Sequence, residues 1–356
     1  MKNIQDTITI MLPVYNFEKT IALCIDNQLT GLEVDKLVYK KLRISMILNN
    51  LKANNLLNWN YHMHDLYAIF VKILEICKDF FNEKGNISRV GLVRKFSVIE
   101  VMALSFTAEI LSIDRENFLL YKLEYFWSKI SNLISCRQFN DSNKYVSTSA
   151  VSIRKQVAMR IGGKENYFCI DFKPVEVCRW VGSKRCKMGT DSKTLLDFGY
   201  CASQGKYYYG YKLHTLWGLS GTVYPYYLTK ASAHNIHYLQ DVKYEYQDCS
   251  IFGDRVYISK EEQLDLFKTA SIRLEVSYRI NKKDWKPQFI SFVKARKRIE
   301  TGFSQLADQF MMIRNYVKQT DGLFARVIRK ITGFTFLQYI NFIHNRSIGR
   351  IKFALI

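Results

Sequence analysis

The chain has 356 residues, 48% hydrophobic and 14% aromatic, with 52 Lys and Arg against 32 Asp and Glu and a net charge of +20. This apolar content excludes wholesale disorder, and the length is ample for more than one domain. The positive excess suits a polyanionic partner, nucleic acid ahead of an anionic membrane, since no run reaches the roughly 18–20 apolar residues of a spanning helix. The best such stretch, Ile331 to Ile343, is short and broken by Thr, Gly, Gln and Asn. The opening Met1-Lys-Asn-Ile-Gln-Asp6 lacks a basic region followed by an apolar core, so no secretory signal is read. Eight cysteines lie scattered without a C-x-x-C pair, which fits reduced structural thiols in a cytoplasmic protein.

Residues 1–60 are expected to form an N-terminal extension whose role the sequence leaves open. His62 and His64 sit two positions apart in a region of helical pattern, where they do not face each other. Residues 61–150 read as a helical region. Asp65 to Phe80 places apolar residues at three- and four-residue intervals. Ser97-Val-Ile-Glu100 is a capping-box signature, Asp114 suits the N-cap of a helix through Leu123, and a short helix is expected over Cys136 to Phe139. Basic residues among them (Arg89, Arg94, Lys95, Arg137, Lys144) suit either a helix-turn-helix DNA reader or the solvated face of a plain bundle.

The period changes between Tyr145 and Arg160, and residues 151–346 read as a second domain. Tyr167 to Ile170 is a buried-strand pattern. Lys206 to Trp217 and Thr222 to Leu228 are aromatic-rich strands joined by Gly218-Leu-Ser-Gly221, a hairpin signal. A helix over 235–245, strands over 250–252 and 273–279, and a long helix over 289–310 follow, with a tail over 347–356. Strands first, then strands alternating with helices, predict a mixed α/β domain with helices packed on its sheet.

Three acids stand out. Asp171 follows the apolar run Tyr167 to Ile170, Asp254 follows Ser250 to Gly253, and Glu300 lies within Lys294-Ala-Arg-Lys-Arg-Ile-Glu-Thr-Gly-Phe303. Acids just beyond strand ends sit where open α/β sheets place ligand sites. Glu300 is about 100° round the helix from Ile299, at the edge of the stripe Phe292, Ile299, Phe303, Leu306 and Phe310. Each acid alone reads more readily as a turn residue, a cap or a surface charge. Together they form a minimal cage for two Mg²⁺ ions about 3.5–4 Å apart, which suits phosphodiester cleavage.

Arg296, Lys297 and Arg298 flank Glu300, and residues 281–330 hold 12 Lys and Arg against 4 Asp and Glu, Arg326 among them. Such a concentrated basic surface fits a DNA strand across a catalytic centre. Lys212 and His214 would share one face of their strand, where they either contact DNA phosphate or form an ordinary basic face. Tyr207, Tyr208, Tyr209 and Tyr211 suit core packing more than stacking on unpaired bases. His234 and His237 have zinc-like spacing but no further ligands nearby, which suits capping.

Ile170-Asp-Phe-Lys-Pro-Val-Glu-Val-Cys178, Tyr209-Gly-Tyr-Lys-Leu-His214, Gly253-Asp-Arg-Val-Tyr-Ile-Ser259 and Arg298-Ile-Glu-Thr-Gly-Phe-Ser-Gln-Leu306 resemble the DDE transposases of bacterial insertion sequences, most closely the nine-eight-two group. The resemblance runs from about Asp65 to Arg346. Two departures stand out: Phe172-Lys-Pro174 where Ser-Phe-Pro is expected, and Gly253-Asp-Arg-Val-Tyr257 where Gly-Asp-Lys-Gly-Tyr is expected. Neither removes an acid.

The resemblance implies a helical DNA-binding region followed by an RNase H-like catalytic domain, with Asp171, Asp254 and Glu300 as a metal-binding triad. Two Mg²⁺ ions, for which Mn²⁺ can substitute, are the implied cofactor. Lys212, His214, Arg296, Lys297, Arg298 and Arg326 are the expected DNA contacts. The implied partners are double-stranded DNA, at element ends and target, and a second copy of the chain, in the nucleoid-associated cytoplasm. The rival readings are a catalytically inactive, sequence-specific DNA-binding derivative, a nuclease that cuts without joining, and a peripheral membrane protein.

Overall fold

Apolar spacing and caps set the helices. The computed structural model describes residues 66–79, 96–123, 132–189, 194–201, 205–278, 290–313 and 317–355, with isolated positions between them. The readings for residues 1–60, for His62 and His64, and for Arg89, Arg94 and Lys95 lie outside the described residues. Helix α1 (Leu66–Lys78) buries Leu66, Ile69, Phe70, Ile73 and Cys77, one stripe at three- and four-residue spacing. Helix α2 (Val98–Ile110) starts at the expected capping box, with Ser97 N–H donating to Glu100 Oε2 at 2.7 Å. All its residues but Glu100 are buried, so it is a core helix. Helix α3 (Glu116–Leu123) follows.

The short helix expected at Cys136 is the first turn of α4 (Cys136–Gly162), 27 residues long and opened by a Ser135/Gln138 capping box. No proline or glycine interrupts it before its final residue. Its buried positions include Phe139, Asn143, Val146, Ala150, Ile153, Arg154 and Val157. Polar Asn143 and Arg154 inside the stripe disguised its helical period. The boundary read near residue 150 therefore falls inside a continuous helix, and Leu66–Ile356 forms one compact unit. Arg154 joins this helix to the sheet by donating to the carbonyls of Val223 and Tyr224 at 3.0 and 2.9 Å.

The sheet has six strands: β1 (Tyr167–Cys178), β2 (Asp197–Cys201), β3 (Lys206–Gly218), β4 (Val223–Lys230), β5 (Ser250–Gly253) and β6 (Arg273–Val276). β3 lies antiparallel to β1 along one edge, and its other edge takes β2 along the first half and β4 along the second. On the far side of β1, β5 and β6 run parallel. This is the mixed sheet that the order of elements predicted.

Helices α5 (His237–Glu245) and α6 (Lys260–Ala270) cover one face, where Tyr238, Leu239 and Leu266 pack with Phe168, Ile170 and Leu216. Helices α7 (Ile290–Asp308) and α8 (Thr320–Ile343) cover the other, joining Cys169, Val175, Leu213 and Trp217 to the core of the helical region. The apolar stretch Ile331 to Ile343 is the buried second half of α8. No helix among the described residues is long and apolar enough to cross a membrane. The expected tail over 347–356 instead packs down, with Ile351 and Ala354 buried and Asn341 donating to the Ser347 and Arg350 carbonyls.

Candidate active site

Asp171 lies within a strand and not at its end, because β1 continues eight residues further than the apolar run suggests, to Cys178. What ends there is the neighbouring strand. The parallel pairing of β1 with β5 stops at Cys169 opposite Phe252, leaving one side of β1 open. Pro174 fits this open stretch because it has no N–H to give a ladder. Asp254, the residue after β5 and the N-cap of a 3-10 turn, is near enough for its charge to raise the pKa of Asp171. Both acids follow the last paired residues of β1 and β5, which are neighbours in the middle of the sheet.

Alternation puts Asp171 on the face shared by Cys169 and Lys173, the face under α7. The Lys173 ammonium lies 5.8 Å from the centre of the Phe303 ring on that helix. Burial pushes the Asp171 carboxyl up to about 6; the Phe172 N–H opposes this, the charge of Asp254 adds to it, Arg296 opposes it and Glu300 adds to it. One oxygen of each aspartate is engaged locally: Asp171 Oδ1 accepts from Phe172 N–H at 2.8 Å and Asp254 Oδ1 from Val256 N–H at 3.0 Å. Glu300 is exposed on α7, with Arg296 Nε 3.9 Å from its carboxylate. The three acids share one electrostatic field, but no group of three His, Cys, Asp or Glu among the described residues is close enough to hold an ion.

The position of α7, and hence of Glu300, follows from its underside. Ile299, Phe303 and Leu306 are buried. Gly302 lies flat against the Trp217 ring, where any Cβ would overlap the indole. Trp217 Nε1 donates to Thr215 Oγ1 at 2.6 Å, and Thr215 pairs directly with Asp171 across the sheet. The helix carrying the third acid and the strand carrying the first therefore rest on one support.

A second tie lies at the β3–β4 turn. Arg298 donates to the Leu219 carbonyl, and Gln338 of α8 donates to the Gly221 carbonyl at 2.6 Å. Glu165 accepts from the Ser220 side chain and from the backbone N–H groups of Ser220 and Leu219, while burial raises its pKa.

The expected DNA contacts divide into two groups. Arg296 and Lys297 are exposed on the turn of α7 before Glu300. The other four are engaged within the protein. Arg298 grips the turn just described. Lys212 donates to the Ala233 carbonyl and Asn235 Oδ1 at 2.7 and 3.0 Å, with burial lowering its pKa. His214 is buried, stacks on Tyr238 and meets Thr229 Oγ1 at 2.9 Å; burial lowers its pKa to about 3, so the ring stays neutral. Arg326 is buried on α8, where it shares Glu109 with Arg329 and Lys330 and donates to the Asp114 carbonyl.

Tyr208 and Tyr211 are core residues, whereas Tyr207 is exposed. Cys178 and Cys186 are free thiols. Tyr257, Trp217, Thr215 and Glu165 were not singled out by the sequence. Tyr257 is fully buried against Gly253, and its own pKa is raised by burial and by the charges of Asp171 and Asp254. Its place three residues after Asp254 was the available signal.

Residues 162–333 match the family model described as transposase DDE domain, a segment containing all three acids. A search of the curated proteins finds no match. Among solved structures the chain is similar to a Mos1 transposase paired-end complex with left transposon end, at 15% identity over 64% of this chain and 77% of that one, with a TM-score of 0.19.

Proposed function

We infer, from the match of residues 162–333 to the family model described as transposase DDE domain, that the chain is the DNA transposase of a bacterial insertion sequence. It binds the terminal inverted repeats, cuts DNA at the element ends and joins the freed 3′-hydroxyls to target DNA. One observation carries this reading. The charges of Asp254 and Glu300 both raise the pKa of Asp171, just past the residues where the β1–β5 pairing stops.

Drawn closer together than they stand here, these three acids would hold the divalent cations, two Mg²⁺ with Mn²⁺ as a substitute. Their chemistry fits: hard oxygen donors, each aspartate with its second oxygen uncommitted among the described residues, and a carboxylate repulsion that a cation would relieve. Bound there, the ions supply Lewis-acid stabilisation and an activated oxygen nucleophile. Arg296 and Lys297 hold phosphate oxygens of the strand beside Glu300. Arg298 is a positioning residue that keeps α7 against the β3–β4 turn. Double-stranded DNA and a second copy of the chain, in the nucleoid-associated cytoplasm, complete this reading.

A catalytically inactive, sequence-specific DNA-binding derivative is the second reading. It is favoured by the open arrangement of Glu300, which faces solvent beside Arg296. The deciding experiment is cleavage of a labelled duplex carrying the repeat that flanks the gene, with Mg²⁺ or EDTA, by wild type and Asp171→Asn. Metal-dependent nicking at the repeat boundary, absent in the variant, is expected. Repeat binding without nicking would replace the enzyme with the derivative, and absence of repeat binding would overturn both.

A further inference from the structure

The N-terminal half of β3 and its partner β2 expose a surface that the core does not require. Phe198 pairs with Tyr209 across the two strands, and Tyr200 with Tyr207. Both pairs project from one face, with ring centres 4.8 Å apart in each. Trp180, from the 3-10 helix Trp180–Arg185, closes the group at 4.5 Å from Phe198 and 5.5 Å from Tyr207. The opposite face of the same strands is sealed by Tyr208, Cys201 and Ala231. Trp180, Phe198, Tyr200 and Tyr207 nevertheless stay 38–62% exposed. A contiguous aromatic patch of this kind marks an interaction site.

Charge and place select the occupant. Arg179, Lys184, Arg185 and Lys187, on and beside the 3-10 helix, are all exposed. Of the acids nearest in sequence, Glu176 is taken up by Lys206 at 2.8 Å, and Asp197, next to Phe198, accepts from the Ser232 hydroxyl and the Phe198 N–H. The partner is therefore negatively charged and offers flat apolar faces. Alternation along β3 places Tyr207 and Tyr209 on the same sheet face as Thr215, the partner of Asp171. Thr215 lies six positions from Tyr209, about 20 Å along the strand, or about six stacked nucleotides of one DNA strand.

We propose that Trp180, Phe198, Tyr200, Tyr207 and Tyr209 form a stacking platform for unpaired DNA bases, on the sheet face that carries Asp171. A duplex hides its base faces inside the stack, so this surface reads a strand that has left it. The proposal rests on reading the chain as a DNA-handling enzyme.

The test is binding of a labelled single strand containing 2-aminopurine, and of the matched duplex, by the full chain. The variants are Trp180→Ala/Tyr207→Ala and Trp180→Phe/Tyr207→Phe. The alanine pair should bind the single strand about tenfold or more weakly and lose the 2-aminopurine quenching, with duplex affinity unchanged. The phenylalanine pair, which keeps two stacking faces, should stay near wild type. If the alanine pair melts lower, Tyr207→Ser repeats the measurement at the most exposed ring.

Equal losses on single strand and duplex would overturn the platform. So would a shift from dimer to monomer with single-strand affinity intact, which would give the surface to a second copy of the chain. A wild-type chain that binds neither DNA would defeat the transposase reading itself. One that binds both forms, with variants that make no difference, would defeat the platform alone.

Discussion

Gly302→Ala isolates the contact that seats α7. In an exposed helix interior, alanine in place of glycine gains about 1 kcal/mol. Here the new methyl meets the Trp217 ring, and the ring has little room to retreat. It is buried, donates to Thr215, and packs edge-on against Phe303 and Phe334 with ring centres 5.6 and 5.9 Å away. Overpacking of a filled core costs about 1–3 kcal/mol, and an aromatic pinned at three points belongs near the upper end. The net expectation is a loss of about 1–2 kcal/mol, a fall in Tm of about 2–6 °C for a unit of this size. Thermal unfolding of the metal-free protein reads it. A Tm that rises, as a free helical glycine would give, refutes the packing argument. Combining Gly302→Ala with Trp217→Phe should cost less than the sum of the two single changes, since the shared clash is relieved.

Two further expectations follow from buried charge. His214 stays neutral to about pH 3 when folded but takes a proton near its ordinary value of 6.5 when unfolded. Its contribution to stability is therefore intact above pH 6.5 and declines as pH falls through the window down to about 3. At pH 5 the loss is about 2 kcal/mol, and urea unfolding of His214→Phe should lack this slope between pH 7 and 5. Slopes that match would remove the assignment. Glu109→Ala would leave Arg326, Arg329 and Lys330 without their shared carboxylate. A loss of about 3–5 kcal/mol is expected in the urea midpoint, partly restored by adding Lys330→Met; an unchanged midpoint would show that the cluster does not depend on this acid.

The three candidate acids stood out because each follows an apolar run or borders a helical stripe, patterns that survive without knowledge of the fold. Their proximity was not legible, since the pairing of β1 with β5 joins residues far apart in the chain. Alternation placed Lys212 and His214 on one strand face, but it cannot tell an open face from one roofed by Tyr238 and α5. Arg326 looked like part of a basic surface because its partner, Glu109, lies on α2, far back in the chain. The tyrosines of β3 divided in a way periodicity alone cannot assign: Tyr208 and Tyr211 went to the interior and Tyr207 to solvent.

The β3–β4 turn has a consequence for how the chain can vary. Arg298 and Gln338 grip main-chain carbonyls there, and two of the donors to Glu165 are main-chain N–H groups. These handles exist whatever side chains residues 219 and 220 carry, so point changes at those positions leave the grip on α7 intact. An insertion or deletion of one residue would instead put the carbonyls out of reach of both helices. Loop length, more than loop composition, is what keeps Glu300 in place.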